Sequence, residues 1–195
     1  SLDVSNNTLL EIFDCDGNQL TSLDVSNNTA LYILGCYDNQ LTSLDVSNNT
    51  ALARLYCADN QLTSLDVSNN TALTYFLCQQ NQLTCLNIKN GNNTNMGSMQ
   101  AFDNPNLTCI EVDDSVWATA NWTVANWNID PQTSFSEDCN NPCSSTTGIP
   151  EPPTKPKELL TITDILGRTT LPVPNTLLFY IYEDGSVEKR LLLDD

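Results

Sequence analysis

Histidine is absent from the 195 residues of this chain. Without imidazole, neither a Ser-His-Asp nor a Cys-His catalytic set can be assembled, nor a His-ligated metal site. Basic residues are scarce as well: 7 Lys and Arg stand against 24 Asp and Glu, for a net charge of −17. Five of those seven (Lys155, Lys157, Arg168, Lys189 and Arg190) follow residue 150, leaving Arg54 and Lys89 to the first 139 positions. So acidic a surface repels phosphate backbones and anionic lipid, which argues against a nucleic-acid partner. No apolar run approaches the ~20 residues of a membrane-spanning helix. No Cys-x-x-Cys pair offers zinc-ribbon spacing. The chain also starts without an initiator Met or signal peptide, inside a repeat, so further coils are expected upstream.

What is present is a core and a period. Hydrophobic residues make up 40% of the chain, and its 8 cysteines suggest an oxidising compartment. Ser-Leu-Asp-Val-Ser-Asn-Asn-Thr begins at Ser1, Ser22, Ser43 and Ser64, a fixed step of 21. Cys15, Cys36, Cys57 and Cys78 keep that step, as do Asn18, Asn39, Asn60 and Asn81. A period of this size marks a solenoid, in which each unit buries its apolar face only against its neighbours. One coil nearly breaks even. Its buried side chains contribute roughly 1.5–3 kcal/mol each, while ordering costs about 1.5 kcal/mol per residue. Stacking must supply the margin.

Within a unit the pattern runs Leu31-x-x-Leu34-x-Cys36-x-x-Asn39-x-Leu41, then Leu41-x-x-Leu44-x-Val46-x-x-Asn49. This resembles the leucine-rich-repeat consensus, and its nested halves of 10 and 11 residues resemble the short bacterial subclass of that family. The likeness covers residues 1–90. It implies a β-rich solenoid, a right-handed coil with short parallel strands, that binds partners on its strand-bearing face.

The columns have plain readings. Stacked cysteines about 4.8 Å apart are too widely set for the ~3.8 Å Cβ separation of a disulfide, so they are core filler. The turn asparagines bond backbone groups left unpaired by a tight bend, and each other along the stack. The aspartates Asp3, Asp24, Asp45 and Asp66 face solvent. Carboxylates are the oxygen ligands Ca²⁺ takes, but a solvated ladder without a cofactor is the reading adopted. The threonines Thr21, Thr42, Thr63 and Thr84 lack the second parallel rank that an ice-binding face needs. Positions that do not repeat are the informative ones. They are Ile12 and Asp14; Ile33, Gly35 and Tyr37; Arg54 and Tyr56; and Tyr75, Leu77 and Gln79. Tyr and Arg are enriched at binding hot spots, so these outward positions are the candidate contact set for a protein or glycan ligand.

Past Asn90 the pattern degrades. Residues 91–99 read as an irregular insert, and Leu107 to Asp114 recover a half-repeat. Residues 115–139, with Trp117, Trp122 and Trp127, resemble the C-terminal cap of bacterial leucine-rich-repeat surface proteins. Packing on the last coil is preferred over sugar stacking for those indoles. Cys85, Cys109, Cys139 and Cys143 are the disulfide candidates. A Cys109–Cys139 bridge would close the cap, although four cysteines allow three pairings. Residues 140–157 form a proline-dense, extended linker. The tail, 158–195, reads as antiparallel strands with a hairpin around Glu183-Asp184-Gly185-Ser186. It resembles the C-terminal sorting domain of the bacterial type IX secretion system, carried by Leu166-Gly167-Arg168, Asp184-Gly185 and Lys189-Arg190. That likeness implies recognition by the type IX translocon and a place outside, or on the outer membrane of, a Gram-negative bacterium. The solenoid (1–114) therefore reads as a secreted or surface-held binding and adhesion module. A surface spacer without a specific ligand is the alternative. No cleft of paired carboxylates emerges, so catalysis is not expected.

Overall fold

Leu34 points inward between Ile33 and Gly35, and the same triplet geometry recurs once per coil. The computed structural model describes residues 2–140, 143, 159–163, 177–182 and 187–191. In chain order the first unit holds β1 (Ile12–Asp14), β2 (Ile33–Gly35), β3 (Arg54–Tyr56), β4 (Ser64–Asp66), β5 (Tyr75–Leu77), β6 (Cys85–Asn87), β7 (Ser98–Gln100), β8 (Cys109–Glu111), helix α1 (Ser115–Asn121) and β9 (Ser134–Ser136). They form two open parallel sheets, ordered β1-β2-β3-β5-β7 and β4-β6-β8-β9. The chain is a β-rich solenoid.

The registers follow the repeat. Phe13, Leu34, Leu55, Phe76 and Met99 are successive partners across the first sheet. Leu65 and Leu86, then Ile110 and Phe135, align in the second. Leu31, Leu52 and Leu73 are fully buried in one continuous apolar cluster with Cys36, Cys57 and Cys78. Those cysteines remain free thiols. Burial, chiefly, pushes the Cys36 and Cys57 thiols well above their usual range and the Cys15 thiol up to about 11.

Each coil bends through a left-handed residue after its first strand: Gly17, Asp38, Asp59, Gln80 and Asp103, with φ of 65°, 53°, 50°, 57° and 54°. The next residue is the turn asparagine, and from Asn39 onward its amide is fully employed. Asn60 Nδ2 donates to the Cys57 and Ala58 carbonyls of its own coil and to the Cys36 carbonyl of the preceding one, at 3.3, 3.1 and 2.9 Å. Its Oδ1 accepts from Leu41 N at 2.9 Å. Asn39, Asn81 and Asn104 repeat this pattern. The expectation that stacked asparagines bond one another is corrected: every bond of this column goes to backbone, because the bend leaves those groups unpaired. A second column, Asn28, Asn49 and Asn70, donates across coils in the same way, yet its Oδ1 atoms are buried without a partner.

Two sequence expectations need correction here. Residues 98–100 are not irregular but form β7, paired with β5. A two-residue lengthening of the step, Tyr75 to Ser98, hid it. Cys143 also does not belong to a free linker, since it is buried and bridged to Cys85. The second bridge joins Cys109 to Cys139. In the cap, Asp114 accepts from Trp117 N and so starts α1. The contact pattern separates Ser1–Thr146 from Thr147–Asp195. The second unit is an antiparallel sheet ordered β10-β11-β12, from β10 (Leu159–Thr163), β11 (Leu177–Tyr182) and β12 (Val187–Leu191).

Asn60→Ala strips the buried Leu41 amide of its acceptor, while the three carbonyls keep Asn39 Nδ2, Asn81 Nδ2 and Asp38 N as donors, so it should destabilise the solenoid by about 2 kcal/mol. Asn18 is exposed and bonds only carbonyls of its own coil, so Asn18→Ala should cost about 1 kcal/mol or less. Urea unfolding of the two variants at neutral pH reads the difference.

Candidate partner-binding face

The pleat sends the residues flanking each buried strand centre outward. Parallel register therefore stacks the non-repeating positions into columns. Ile12, Ile33, Arg54, Tyr75 and Ser98 form one; Asp14, Gly35, Tyr56, Leu77 and Gln100 form the next. Of the expected contact set, Ile12, Asp14, Tyr37, Arg54 and Tyr75 are exposed, whereas Ile33, Tyr56, Leu77 and Gln79 are half-buried. Gly35 is buried and offers no contact surface, a correction to the expectation. It is the floor on which two carboxylates rest: a Cβ there would come within 3.0 Å of Asp16 Oδ1 and 3.3 Å of Asp14 Oδ1.

The side chains are held by one another. The Arg54 guanidinium lies 5.0 Å from the Tyr75 ring centroid, a cation–π contact worth about 0.5–1 kcal/mol at an exposed site. The same ring covers Gly97, where a Cβ would sit 3.5 Å from its atoms. Asp16 accepts from Tyr37 N at 2.6 Å. Burial raises the Asp16 carboxyl above its ordinary range; the Tyr37 amide opposes this and Asp14 adds to it. The Tyr37 hydroxyl donates to the Asp59 carboxylate, and that bond, with the nearby negative charge, holds the phenol above its usual range. The face is thus aromatic and aliphatic, with one cation, edged by Asp14, Asp16, Asp38 and Asp59.

Residues that sequence reasoning missed extend the face. Tyr32 is 50% exposed beside the first column, and Trp127 is 70% exposed, edge-on to Phe102 at 5.9 Å between centroids. The indoles divide. Trp122 is buried between Trp117 and Phe135, while Trp127 stands in solvent. The signal for β7 was legible in Met96-x-x-Met99-x-Ala101-x-x-Asn104, the coil pattern with Met and Ala in place of Leu and Cys.

On the other sheet the aspartate column serves the turns. Oδ1 of Asp3, Asp24, Asp45 and Asp66 each accepts, at 2.9 Å, from the amide of the Ser two residues on. Hydrogen bonds from the Ser5 and Ser26 hydroxyls, and then from those amides, hold Asp3 and Asp24 below the usual carboxylate range. In the second unit Lys189 and Arg190 lie in β12, paired with Phe179 and Leu178 of β11. Leu166, Gly167, Arg168, Asp184 and Gly185, with the expected turn, lie outside the described residues.

Residues 55–78 match the model of the LVIVD repeat. The chain is therefore a repeat protein, built as the β-rich solenoid above. Over 56% of its length it is similar to the functional domain of InlJ from Listeria monocytogenes, at 35% identity and a TM-score of 0.48; that domain includes a cysteine ladder. The chain spans about a quarter of that protein chain's length, 26%. No curated protein matches. Among the described residues no helix is long and apolar enough to cross a membrane.

A phenol whose folded-state pKa is raised adds stability below its unfolded value and loses it as pH climbs past the folded one. Replacing Asp59 by Asn, which tolerates the left-handed bend, should bring the Tyr37 transition back toward the ordinary tyrosine range. An NMR titration of the tyrosine rings between pH 8 and about 12 reads it, and an unmoved Tyr37 would show that the carboxylate is not the cause.

Proposed function

We propose that this chain is an extracellular, non-enzymatic binding and adhesion module of the bacterial leucine-rich-repeat type, whose first sheet docks a protein partner. One observation carries the reading. The coils copy each other almost verbatim, yet their non-repeating side chains fall into registered columns on a single open sheet. On the opposite side of the first four coils the equivalent positions stay Ser and Asp, from Ser22 and Asp24 to Ser64 and Asp66, and change only from β6 onward. Within those coils variation gathers on one surface, which is what a contact face needs, since the scaffold must stay constant while the contacts change. Tyr37, Arg54, Tyr56 and Tyr75 supply hot-spot chemistry, and the flanking aspartates favour a partner that presents basic groups. Two disulfides, Cys85–Cys143 and Cys109–Cys139, fit an oxidising, extracellular setting. The module works without a cofactor.

We further infer that residues 158–195 direct export through the type IX system of a Gram-negative bacterium, leaving the solenoid released or held at the surface. The small antiparallel sheet and the likeness of its Leu166-Gly167-Arg168 and Lys189-Arg190 segments support this.

In binding to an array of immobilised surface proteins, Tyr37→Ala, Arg54→Ala, Tyr56→Ala and Tyr75→Ala should weaken capture of a recognised protein about tenfold or more at the strongest positions. Their melting temperatures should stay within about 2 °C of the parent, as expected for surface changes. Capture that ignores all four and scales only with the number of coils would favour a spacer. Deleting 158–195 should leave the solenoid in the periplasm of a type IX-competent host; secretion undiminished by the deletion would refute the export role.

A further inference from the structure

The second sheet is bridged to the chain beyond the cap at two equivalent positions. Cys85 opens β6 and stands in register with Ser64 of β4, in the column that holds serine through the first four coils. Cys109 opens β8, one coil further on, in register with Ser134 of β9. The inner bridge joins Cys109 to Cys139, and the outer one joins Cys85 to Cys143. Cys143 accordingly lies against this sheet, where it lines a depression together with Ser64, Leu65 and Asp66 of β4. The contact columns of Arg54 and Tyr75 belong to the other sheet.

Chain order and spatial order part company here. The sheet runs β4-β6-β8-β9, and the chain passes through β8, α1 and β9 before Cys143 fastens it to β6, two strands back from the edge. The outer bridge closes a loop between positions 58 apart, and the inner one, between positions 30 apart, is nested within it. Tension follows covalent bonds. A pull between an upstream coil and the chain beyond Cys143 crosses the Cys85–Cys143 disulfide and never runs along β8, α1 or β9. The strand that receives it, β6, is paired on both sides, to β4 and to β8. Its coil is also tied backward, by Asn81 Nδ2 to the Cys57 carbonyl at 3.0 Å and by Asn90 Nδ2 to the Asn70 carbonyl at 3.1 Å. Among the described residues β9 has one strand partner, β8, so a pull starting there would meet a ladder on one side only.

From this we propose that the Cys85–Cys143 bridge is a mechanical bypass: it carries tension from the tail side directly into the interior of the coil stack and leaves the cap unstressed. The inference rests on the reading that the solenoid is a binding module held at a surface by its C-terminal side. In that arrangement a partner on the first sheet and the chain beyond Cys143 pull against each other. The coils between them are the ones with neighbours on both sides, while the cap, which closes the end of the stack, stands outside the path.

The full chain is held in magnetic tweezers between its C-terminus and p-azidophenylalanine in place of Tyr32, an exposed ring beside the contact columns. Residues after 143 extend alike in every form; upstream of them the parent chain should extend residues 33–85 alone. Cys85→Ser/Cys143→Ser should extend about 100 Å further, for 28 more positions (58 less the 30 that the inner bridge spans) at ~3.5 Å each. That added length should appear before any coil upstream of β6 opens, and the lifetime of the folded state at constant force should fall about tenfold or more. Cys109→Ser/Cys139→Ser also removes a loop constraint, yet it should keep the parent's extension and lifetime, which separates a path for tension from loss of stability in bulk. Dithiothreitol added to the folded parent, which reduces both bridges, should add about 200 Å for all 58 positions. The measurement needs neither partner nor secreting host, so loss of the adhesion or export reading would leave these outcomes unchanged. Equal lifetimes for the parent and the Cys85→Ser/Cys143→Ser chain, an equal loss in the Cys109→Ser/Cys139→Ser chain, or a parent that extends residues 86–142 overturns the proposal.

Discussion

Every coil of the solenoid depends on one side-chain amide. The residue before it bends left-handed, which turns the chain sharply and strands the carbonyls just upstream. The Asn39, Asn60, Asn81 and Asn104 Nδ2 groups collect those carbonyls, and each reaches back to a cysteine carbonyl of the coil below. Oδ1 completes the tie by taking an amide of that lower coil. No shorter or longer polar side chain presents an acceptor and two donors in this geometry. Because the tie is to backbone, it holds whatever the outward residues are. That independence frees Ile12, Ile33, Arg54 and Tyr75 to differ while occupying equivalent places.

A column of this kind must be closed where it ends, since the last coil would otherwise leave its bend unpaired. The cap imitates the missing coil with carboxylates. Asp130 accepts from Asp103 N and Asn104 N, at 2.9 and 2.8 Å. On the other sheet Asp113 accepts from Gly91 N and Asn93 N, while Asn93 Oδ1 accepts from Asp113 N. The two disulfides fall in this same region, joining β6 to Cys143 and β8 to Cys139. Covalent closure is thus concentrated where stacking, which supplies the margin elsewhere, has fewer neighbours to draw on.

The stack was legible from residues because each inward position of the first four coils is Leu, Val, Phe or Cys at a constant step. Legibility failed where chemistry and step changed together. Met96, Met99 and Ala101 fill the same interior as Leu73, Phe76 and Cys78, but the coil is two residues longer, so β7 read as an insert. Gly35 looked like an outward residue by alternation alone; its role appears only when the Asp14 and Asp16 carboxylates are seen resting on it. The Cys85–Cys143 bridge was one of the pairings the four candidate cysteines allow, but Cys143 sits in a proline-rich stretch whose composition says nothing of the contact. Trp127 shows the limit on side chains. Three indoles in one cap invite a single shared role, yet a left-handed turn at Trp127 sends one out while Trp122 goes in.

Charge then sorts the surfaces. Aspartates stacked one coil apart repel, and the fold offsets this by giving each one a serine amide; at Asp3 and Asp24 the serine hydroxyl, with that amide, keeps the carboxylate ionised further into acid. Those bonds consume the carboxylate edge that faces the turn, so the column is committed to local structure before any ligand arrives. Along the first sheet the aspartates instead touch contact residues: Asp16 holds the Tyr37 backbone and Asp59 holds the Tyr37 hydroxyl. There the same charge fixes an aromatic side chain in place, lowering the entropy it would lose on docking. At the end of the stack the Asp113 and Asp130 carboxylates turn instead to the backbone amides of Gly91, Asn93, Asp103 and Asn104. A solenoid with one dominant charge thereby presents surfaces of different chemistry, because where each carboxylate finds its hydrogen bond decides which surface feels its charge.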